Sequence, residues 1–249
     1  MNEAILEIKN LTKTYPASGE GFTVLSSLNL AINKGEFLCI LGPSGCGKST
    51  LIRCIAGFEN FEGEIIAKGI PVTKPGTDRM MVFQDFNQLY PWKTVEKNIQ
   101  YPLKLQNIKD KGKLKELSDE ALKKVDLDGK QKSYPHELSG GMKQRVAIAK
   151  ALALKSDIIL MDEPFAALDA MTRDKLQTEL IRIHTQSDIT IIFITHNIQE
   201  ALALGTRILV MDRNGNIIID EENKIPKPVT PASDGYGETW NRLHRALGI

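Results

Sequence analysis

The sequence has little net charge, few cysteines and no long apolar run. Its 249 residues carry a formal net charge of +1, so charge gives no reason to expect a nucleic acid or an anionic membrane surface as a partner. The three cysteines are an odd number without metal-type pairing, which favours reduced thiols in the cytosol over disulfides. No apolar run approaches the ~18 residues that a membrane span needs.

The first residues also lack the cationic segment and apolar stretch of a secretory signal peptide. We therefore expect a cytoplasmic protein, and the lack of a span does not exclude docking onto a membrane protein. The composition, 42% hydrophobic and 25% charged, is ordinary for a globular protein. A chain of this length can form one large domain or two small ones, and no internal repeat divides it.

Short apolar runs separated by turns predict a strand-rich core. Residues 37–41 are continuously apolar, which is typical of a buried strand. Asn214 and Gly215, between residues 208–212 and 216–220, predict a hairpin because both turn positions favour positive φ. The other predicted strands are residues 4–8, 22–32, 64–67, 80–83, 158–161, 190–194 and 207–211.

One long stretch, from about residue 86 to 154, shows helical rather than strand spacing. The spacing is clearest in residues 114–125 and 142–154, where apolar residues recur every three or four positions. We therefore predict a helical insertion within a domain that spans residues 1–220.

The end of the chain, residues 221–249, is a polar, proline-rich tail. Trp240, Leu243 and Leu247 share helical spacing near its end. Such a helix either packs on the protein's own core or contacts a partner, and we favour packing on the core.

A glycine-rich segment follows the buried run at 37–41. Residues 42–49 match the pattern G-x-x-x-x-G-K-S/T, and a segment of helical character follows, which is the context that a phosphate-binding loop requires. Glycines let backbone N–H groups approach phosphates, and the helix start adds a positive dipole. Lys48 would reach the β- and γ-phosphates, Ser49 would offer a hydroxyl to Mg²⁺, and Thr50 would bond the α-phosphate side. The alternative, a glycine-rich turn with an incidental lysine, does not account for the strand and helix on either side.

Polar side chains follow three of the predicted strands. Asp162 and Glu163 end one of them, and consecutive residues at a strand end face different directions. We assign Asp162 to Mg²⁺ and Glu163 to the general base that activates water. Gln84 and His196 follow two other strands, where open α/β sheets bind ligands. They are candidates for contact with Mg²⁺ or water and with the γ-phosphate, respectively; a structural hydrogen bond at a strand end is the alternative for each.

Taken together, these motifs resemble the ATP-binding-cassette (ABC) ATPases. The order and rough spacing match over about residues 4–220. The implied fold is an α/β P-loop (RecA-like) nucleotide-binding core with an antiparallel β subdomain and a helical insertion. The matching segments are residues 42–50, Gln84, residues 138–142, 160–164 and 167–169, and His196.

The resemblance also implies a role for each matching position. Tyr15 occupies the place of an aromatic that stacks on adenine, and Asp169 that of a loop passing between subunits. His196 matches a switch histidine, and Gln84 a glutamine linking the ATP site to the membrane partner. The signature loop, which contacts the γ-phosphate of ATP on the opposite subunit, comprises Ser139, Gly140 and Gly141. The implied phosphate-loop residues are Gly42, Pro43, Ser44, Gly45, Cys46, Gly47, Lys48, Ser49 and Thr50.

Two longer segments, residues 81–99 and 134–152, are similar to importer ATPases of the nitrate/sulfonate/taurine group. Met142 stands where most cassettes have glutamine; it fits this group but cannot make the hydrogen bonds of an amide. The resemblance implies ATP and Mg²⁺ as cofactors, and a homodimer or pseudo-dimer of ATPase subunits. It further implies transmembrane permease subunits, indirectly a solute-binding protein, and a position at the cytoplasmic face of the membrane.

Two other functions fit a phosphate loop. A soluble ABC ATPase acting on nucleic acid or ribosomes usually carries two cassettes or a coiled-coil insertion, and this chain has one set of motifs and no basic patch. A P-loop kinase needs an acceptor site, and the signature segment would then have no role. Residues 87–94, with Leu89, Tyr90 and Trp92, are either a socket for a permease helix or part of the insertion's own packing.

Overall fold

The structure, a computed structural model, describes residues 3–16, 21–83, 88–166 and 168–248. Its strands form a six-stranded, mostly parallel sheet and a four-stranded antiparallel sheet. The predicted α/β class with an antiparallel subdomain is therefore confirmed.

The parallel sheet holds the continuously apolar runs. Strands β3 (Phe37–Leu41), β7 (Ile158–Asp162) and β8 (Thr190–Ile194) are buried at every position, because helices or the second sheet cover both faces. The sheet has the order β10–β9–β3–β8–β7–β6, in which β10 alone runs antiparallel to its neighbour. Its remaining strands are β6 (Arg79–Val82), β9 (Arg207–Met211) and β10 (Ile217–Glu222).

The antiparallel sheet has the order β2–β1–β4–β5. Strand β1 (Ala4–Tyr15) extends well beyond the predicted residues 4–8, through a polar stretch that the apolar pattern does not mark. Several shifts in its register with β2 (Phe22–Asn33) break the alternation on which the prediction depends. Strands β4 (Glu62–Ala67) and β5 (Ile70–Pro71) complete the sheet.

Helices fill the rest of the described chain. Between β6 and β7 the described residues form helices and no strand, as predicted for residues 86–154. Helices α5 and α6 were not predicted from the sequence; α5 buries only Leu176, Leu180 and Ile183 among polar residues. The helices are α1 (Lys48–Ala56), α2 (Val95–Leu105), α3 (Lys111–Lys124), α4 (Gly140–Ala153), α5 (Ala170–Thr185), α6 (Ile198–Leu204) and α7 (Tyr236–Leu247).

Two apolar cores lie on opposite faces of the parallel sheet. Alternate residues of β7 enter each: Ile158 and Leu160 pack with α1 and the antiparallel sheet. Ile159 and Met161 pack instead with the helices of residues 95–153 and with α5 to α7. This period-two alternation places α1 and α4 on opposite faces of one sheet.

The predicted hairpin forms between β9 and β10. Its turn differs from the prediction, because φ is positive at Gly215 (81°) and not at Asn214. The Asp212 carboxylate accepts hydrogen bonds from the N–H groups of Asn214 and Asn216, at 2.8 and 2.9 Å. A longer loop organised by this side chain replaces the two-residue turn.

The tail packs on the core, as expected. Leu243 on α7 is fully buried, and Trp240 and Leu247 pack on the same core as α4. The proposed domain boundary at residue 220 falls inside β10, so the division into a domain and a tail stays a prediction. In the described part of the chain, none of the helices combines the length and apolar character needed to cross a bilayer.

Candidate functional site

The glycine loop joins β3 to α1 at the carboxyl edge of the parallel sheet. Gly47 is the N-cap of α1 and has φ of 101°, and no side chain in the described part of the chain caps the helix start. A Cβ at Gly47 would lie 2.9 Å from Leu25 Cδ2, so both the dihedral and the space require glycine here. Among the described residues, the backbone N–H groups of the first helical turn therefore have no capping side-chain acceptor, as an anion site requires.

Lys48 folds back across this loop. Its side chain is nearly buried, with the residue 5% exposed. The ammonium Nζ donates to the carbonyl oxygens of Gly42 at 2.7 Å and Pro43 at 2.8 Å, and lies 3.8 Å from Cys46 Sγ. These bonds hold a fixed positive charge at the mouth of the loop.

The loop borders an open cavity of about 280 Å³. Predicted residues make up most of its wall, and Val24 of β2 is an addition that the sequence did not suggest. Val24 lies between Lys13↔Leu25 and Thr14↔Thr23, where the register of β1 and β2 shifts. The cavity is lined by Val24, Ser44, Gly45, Gly47, Lys48, Ser49, Thr50 and Glu163.

Asp162 and Ser49 meet at the floor of the site. Ser49 Oγ donates to Asp162 Oδ1 at 2.9 Å. Burial raises the pKa of the Asp162 carboxyl, and the hydrogen bond from Ser49 opposes that rise. A hydroxyl and a carboxylate oxygen placed together are the hard ligands that Mg²⁺ prefers.

Glu163 and His196 form a second pair at the rim. His196 Nδ1 lies 3.1 Å from Glu163 Oε2. Glu163 has a positive φ of 43°, and its N–H donates to the carbonyl of Ile194 at 3.1 Å. This backbone turn directs Glu163 to the cavity while Asp162 points to Ser49, as predicted for consecutive strand-end residues.

One described residue of the predicted set, Tyr15, stands apart from this group. Gln84 lies outside the described residues. Tyr15 ends β1, opposite Phe22 of β2, and the ammonium of Lys13 lies 4.5 Å from its ring centroid. Tyr15 is two register positions from the cavity residue Val24, on the same end of the antiparallel sheet.

The signature residues lie at the start of α4 and not at the cavity. Ser139 is exposed, and its hydroxyl accepts from Met142 N–H at 3.3 Å. A Cβ at Gly141 would lie 2.4 Å from Thr172 Cγ2. Thr172 in turn donates through Oγ1 to Asp169 Oδ2 at 2.8 Å. The structure therefore brings residues 139–141 beside Asp169, the N-cap of α5.

The structure also shows the surroundings of Met142, the three cysteines and part of residues 87–94. Met142 is half-buried against the helical core. The three cysteines are free thiols, as expected, and the structure shows that all three are buried. Of the residues considered as a permease socket, Leu89 is buried in the core while Trp92 is 70% exposed and packs on Tyr90. Leu89 therefore packs within the insertion, and the contact of the exposed Trp92 with a permease stays a prediction.

The comparisons with known proteins agree with this architecture. A family model described as ABC transporter matches residues 25–166. SsuB of Bacillus cereus, an aliphatic sulfonates import ATP-binding protein, is 45% identical over 96% of this chain and 94% of its own length. NrtD of Synechococcus elongatus, a nitrate import ATP-binding protein, is 39% identical over 91% of this chain and 83% of its own length.

A solved structure gives the same result at the level of the fold. The ATP-binding cassette MJ0796, a dimer in a post-hydrolysis state with ADP and Pi, matches with a TM-score of 0.76 and 33% identity. The match covers 88% of this chain and 99% of that one. The resemblance inferred from the sequence motifs is confirmed, and the chain belongs to the ABC transporter family.

Proposed function

We propose that this chain is the ATP-hydrolysing subunit of an ABC importer at the cytoplasmic face of the membrane. The observation that carries the proposal is the pair Glu163–His196, 3.1 Å apart, at the rim of the cavity that contains Lys48. A loop that only bound a nucleotide would not need a carboxylate and an imidazole facing the end of the phosphate chain.

ATP binds in this proposal with its phosphates in the loop of residues 42–50. Backbone N–H groups at the start of α1 donate to the phosphates, and Lys48 moves one or more donors from the loop carbonyls to the β- and γ-phosphates. Thr50 contacts the α-phosphate side. Tyr15 stacks on adenine, which its place two register positions from Val24 supports.

Mg²⁺ fits the pair Ser49 and Asp162, with Gln84 as a further oxygen ligand. Ser49 Oγ and Asp162 Oδ1 already lie 2.9 Å apart. The raised pKa of Asp162 reflects a buried carboxyl that a cation would stabilise in its charged form. When bound there, Mg²⁺ would neutralise charge on the β- and γ-phosphates.

Hydrolysis uses Glu163 and His196. Glu163 accepts a proton from water as the water oxygen attacks the γ-phosphorus. The bond from that phosphorus to the bridging oxygen breaks, and ADP and phosphate result. His196 contacts the γ-phosphate and holds Glu163 in place through the bond at its Nδ1.

Two copies of the subunit complete each site. Ser139, Gly140 and Gly141 lie beside Asp169 and away from their own chain's cavity, which supports a contact with the γ-phosphate bound to the partner. ATP would then hold the dimer closed, and loss of the γ-phosphate would release it. The dimeric state of the MJ0796 cassette supports the same arrangement.

Closure and opening would drive a permease that binds near Gln84 and the helical insertion. The exposed Trp92 and its neighbour Tyr90 supply an aromatic surface for that contact. The relatives named for sulfonate and nitrate import favour import of a small oxyanion or related solute, delivered by a solute-binding protein. These relatives also favour an import function over that of a soluble ATPase acting on nucleic acid or ribosomes.

The variant Glu163→Gln tests the proposal. We expect ATP turnover to fall roughly 10²- to 10⁴-fold, the range for loss of a general base, while ATP binding remains and an ATP-bound dimer accumulates. Phosphate release and size-exclusion chromatography measure the two effects, with the exposed Glu222→Gln on β10 as the control. Turnover at the wild-type rate in Glu163→Gln would refute the assignment.

A further inference from the structure

One buried carboxylate outside the cavity contacts two of the segments that carry proposed site residues. Glu200 lies in the first turn of α6 and is 7% exposed. It is not among the residues that line the cavity. Burying a charged group is unfavourable unless partners compensate it, so the contacts of this carboxylate require an explanation.

The first contact is with the segment that holds His196. Thr195 Oγ1 donates to Glu200 Oε2 at 2.5 Å. The same hydroxyl oxygen accepts the N–H of Asn197 at 3.0 Å. His196 is therefore held between two neighbours whose positions depend on one hydroxyl, and Glu200 fixes the orientation of that hydroxyl.

The second contact is with the segment that ends in Asp169. Arg173, in the first turn of α5, places Nε 3.6 Å from Glu200 Oε1. Its Nη2 donates to the carbonyl of Leu168 at 3.1 Å. The guanidinium thus joins Glu200 to the residue immediately before Asp169.

We propose that Glu200 is a positioning residue that couples the location of His196 to that of the Asp169 segment. The two oxygens of one carboxylate act on the two segments, and the intervening groups are a hydroxyl on one side and a planar guanidinium on the other. This inference rests on the proposed roles of His196 and Asp169. A displacement of Asp169 on contact with a partner subunit would reach His196 through Leu168, Arg173, Glu200 and Thr195.

The alternative is that Glu200 only stabilises the packing of α5 on α6. That alternative predicts a lower melting temperature and no selective effect on turnover. The coupling predicts a selective effect, because misplacing His196 slows hydrolysis while the phosphate loop still binds ATP.

The test uses the full chain and the variant Glu200→Gln, which keeps an oxygen for Thr195 and loses the charge that faces Arg173. We expect kcat to fall roughly 10- to 100-fold, with the dissociation constant for ATP and the melting temperature close to wild type. Glu36→Gln is the matched control, because Glu36 also pairs with an arginine, Arg207 at 3.1 Å. Glu36 precedes β3, at the end opposite the phosphate loop. We expect the kcat of this control to be unchanged.

A double-mutant cycle with Arg173→Gln separates coupling from independent effects. If the two residues act through one path, adding Arg173→Gln to Glu200→Gln lowers kcat little further. Additive losses, or kcat within twofold of wild type in Glu200→Gln, would overturn the proposal. Arg173 is partly exposed, so Arg173→Gln alone gives the kcat test should Glu200→Gln not fold. Wild-type protein without ATPase activity in the same assay would instead refute the proposed function.

Discussion

Helices α1 and α4 both begin beside glycines, and their first turns are built differently. Helix α1 begins after Gly47, which has a positive φ, and no described side chain caps it. Helix α4 begins after Ser139, whose hydroxyl already accepts the N–H of Met142. The first helix start keeps its donors for an anion; the second satisfies one of its own donors and presents an exposed hydroxyl.

Their surroundings differ as well. The start of α1, including Lys48, shares a cavity with Glu163, so the proposed nucleotide binding and water activation would be combined there. The start of α4 packs on Thr172, beside Asp169. The difference supports the proposal that α1 binds phosphate within one chain and that α4 acts between chains.

The largest expected effect separates the two helix starts directly. Lys48→Ala should weaken ATP binding by the isolated chain at least tenfold, because charge-assisted hydrogen bonds to phosphate contribute about 1.5–3 kcal/mol each. Ser139→Arg should leave that affinity within twofold and prevent ATP-driven dimerisation, because a bulky cation replaces a small hydroxyl. Titration with a fluorescent nucleotide and size-exclusion chromatography measure the two. A dimer that still forms in Ser139→Arg would contradict the contact between chains.

A smaller effect should come from the contact between α4 and α5. Gly141→Ala places a Cβ 2.4 Å from Thr172 Cγ2, and such overpacking costs about 1–3 kcal/mol. We expect a lower free energy of unfolding and weaker ATP-driven dimerisation. Adding Thr172→Ser removes the methyl group but keeps the hydroxyl that bonds Asp169, so it should restore both.

The control for this pair is Gly237→Ala in α7, where the new Cβ has no neighbour within 4 Å. With only described residues considered, no clash opposes the change, so it should raise stability slightly, since alanine favours the helix more than glycine does. Failure of Thr172→Ser to rescue Gly141→Ala would show that the close approach to Thr172 is not what requires glycine.

The smallest effect concerns the body of α4. Its Arg145 lies 3.3 Å from Glu179 of α5. Burial raises the pKa of Glu179 to about 7, against the opposing charge of Arg145 and with a further rise from Asp126. Because the folded-state pKa lies above the unfolded value, the stabilising contribution is full below the unfolded pKa and is lost as pH rises through 7.

Glu179→Gln mimics the neutral form at every pH. The free energy of unfolding of the wild type, relative to this variant, should therefore fall by about 1 kcal/mol between pH 5 and pH 8, because solvent screens part of the interaction of this half-buried carboxyl. Urea denaturation at several pH values measures the difference. A difference that stays constant with pH would mean that Glu179 is ionised throughout.

The parallel strands and the places of the polar residues at their ends followed from local patterns in the sequence, whereas the antiparallel subdomain was implied by the family resemblance. Apolar runs marked the parallel strands, and the polar residues just after them, Asp162, Glu163 and His196, met at one edge because parallel strands end together. Helix α5 was missed because its three buried residues lie among polar ones. The two-residue turn at Asn214 was wrong because the Asp212 side chain organises a longer loop.

Contacts between distant parts of the chain had no local signal. Gly141 meets Thr172, and Glu200 joins Thr195 to Arg173, only because α4, α5 and α6 pack on one core. Val24 reaches the cavity through a register shift that no sequence periodicity marks. The sequence pattern therefore predicted the candidate site residues at the strand ends. It did not predict the side chains from other parts of the chain that contact them.

The alternation of β7 between two cores has one more consequence. Helices α1 and α4 lie on opposite sides of a sheet that is buried at every position of its central strands. The sheet separates these two helices within one subunit, and its backbone hydrogen bonds resist bending. Residues 139–141 could reach the phosphate loop of their own chain only if those hydrogen bonds broke. One chain therefore carries two half-sites that it cannot join by itself, and in the proposed dimer a second copy supplies the missing half of each.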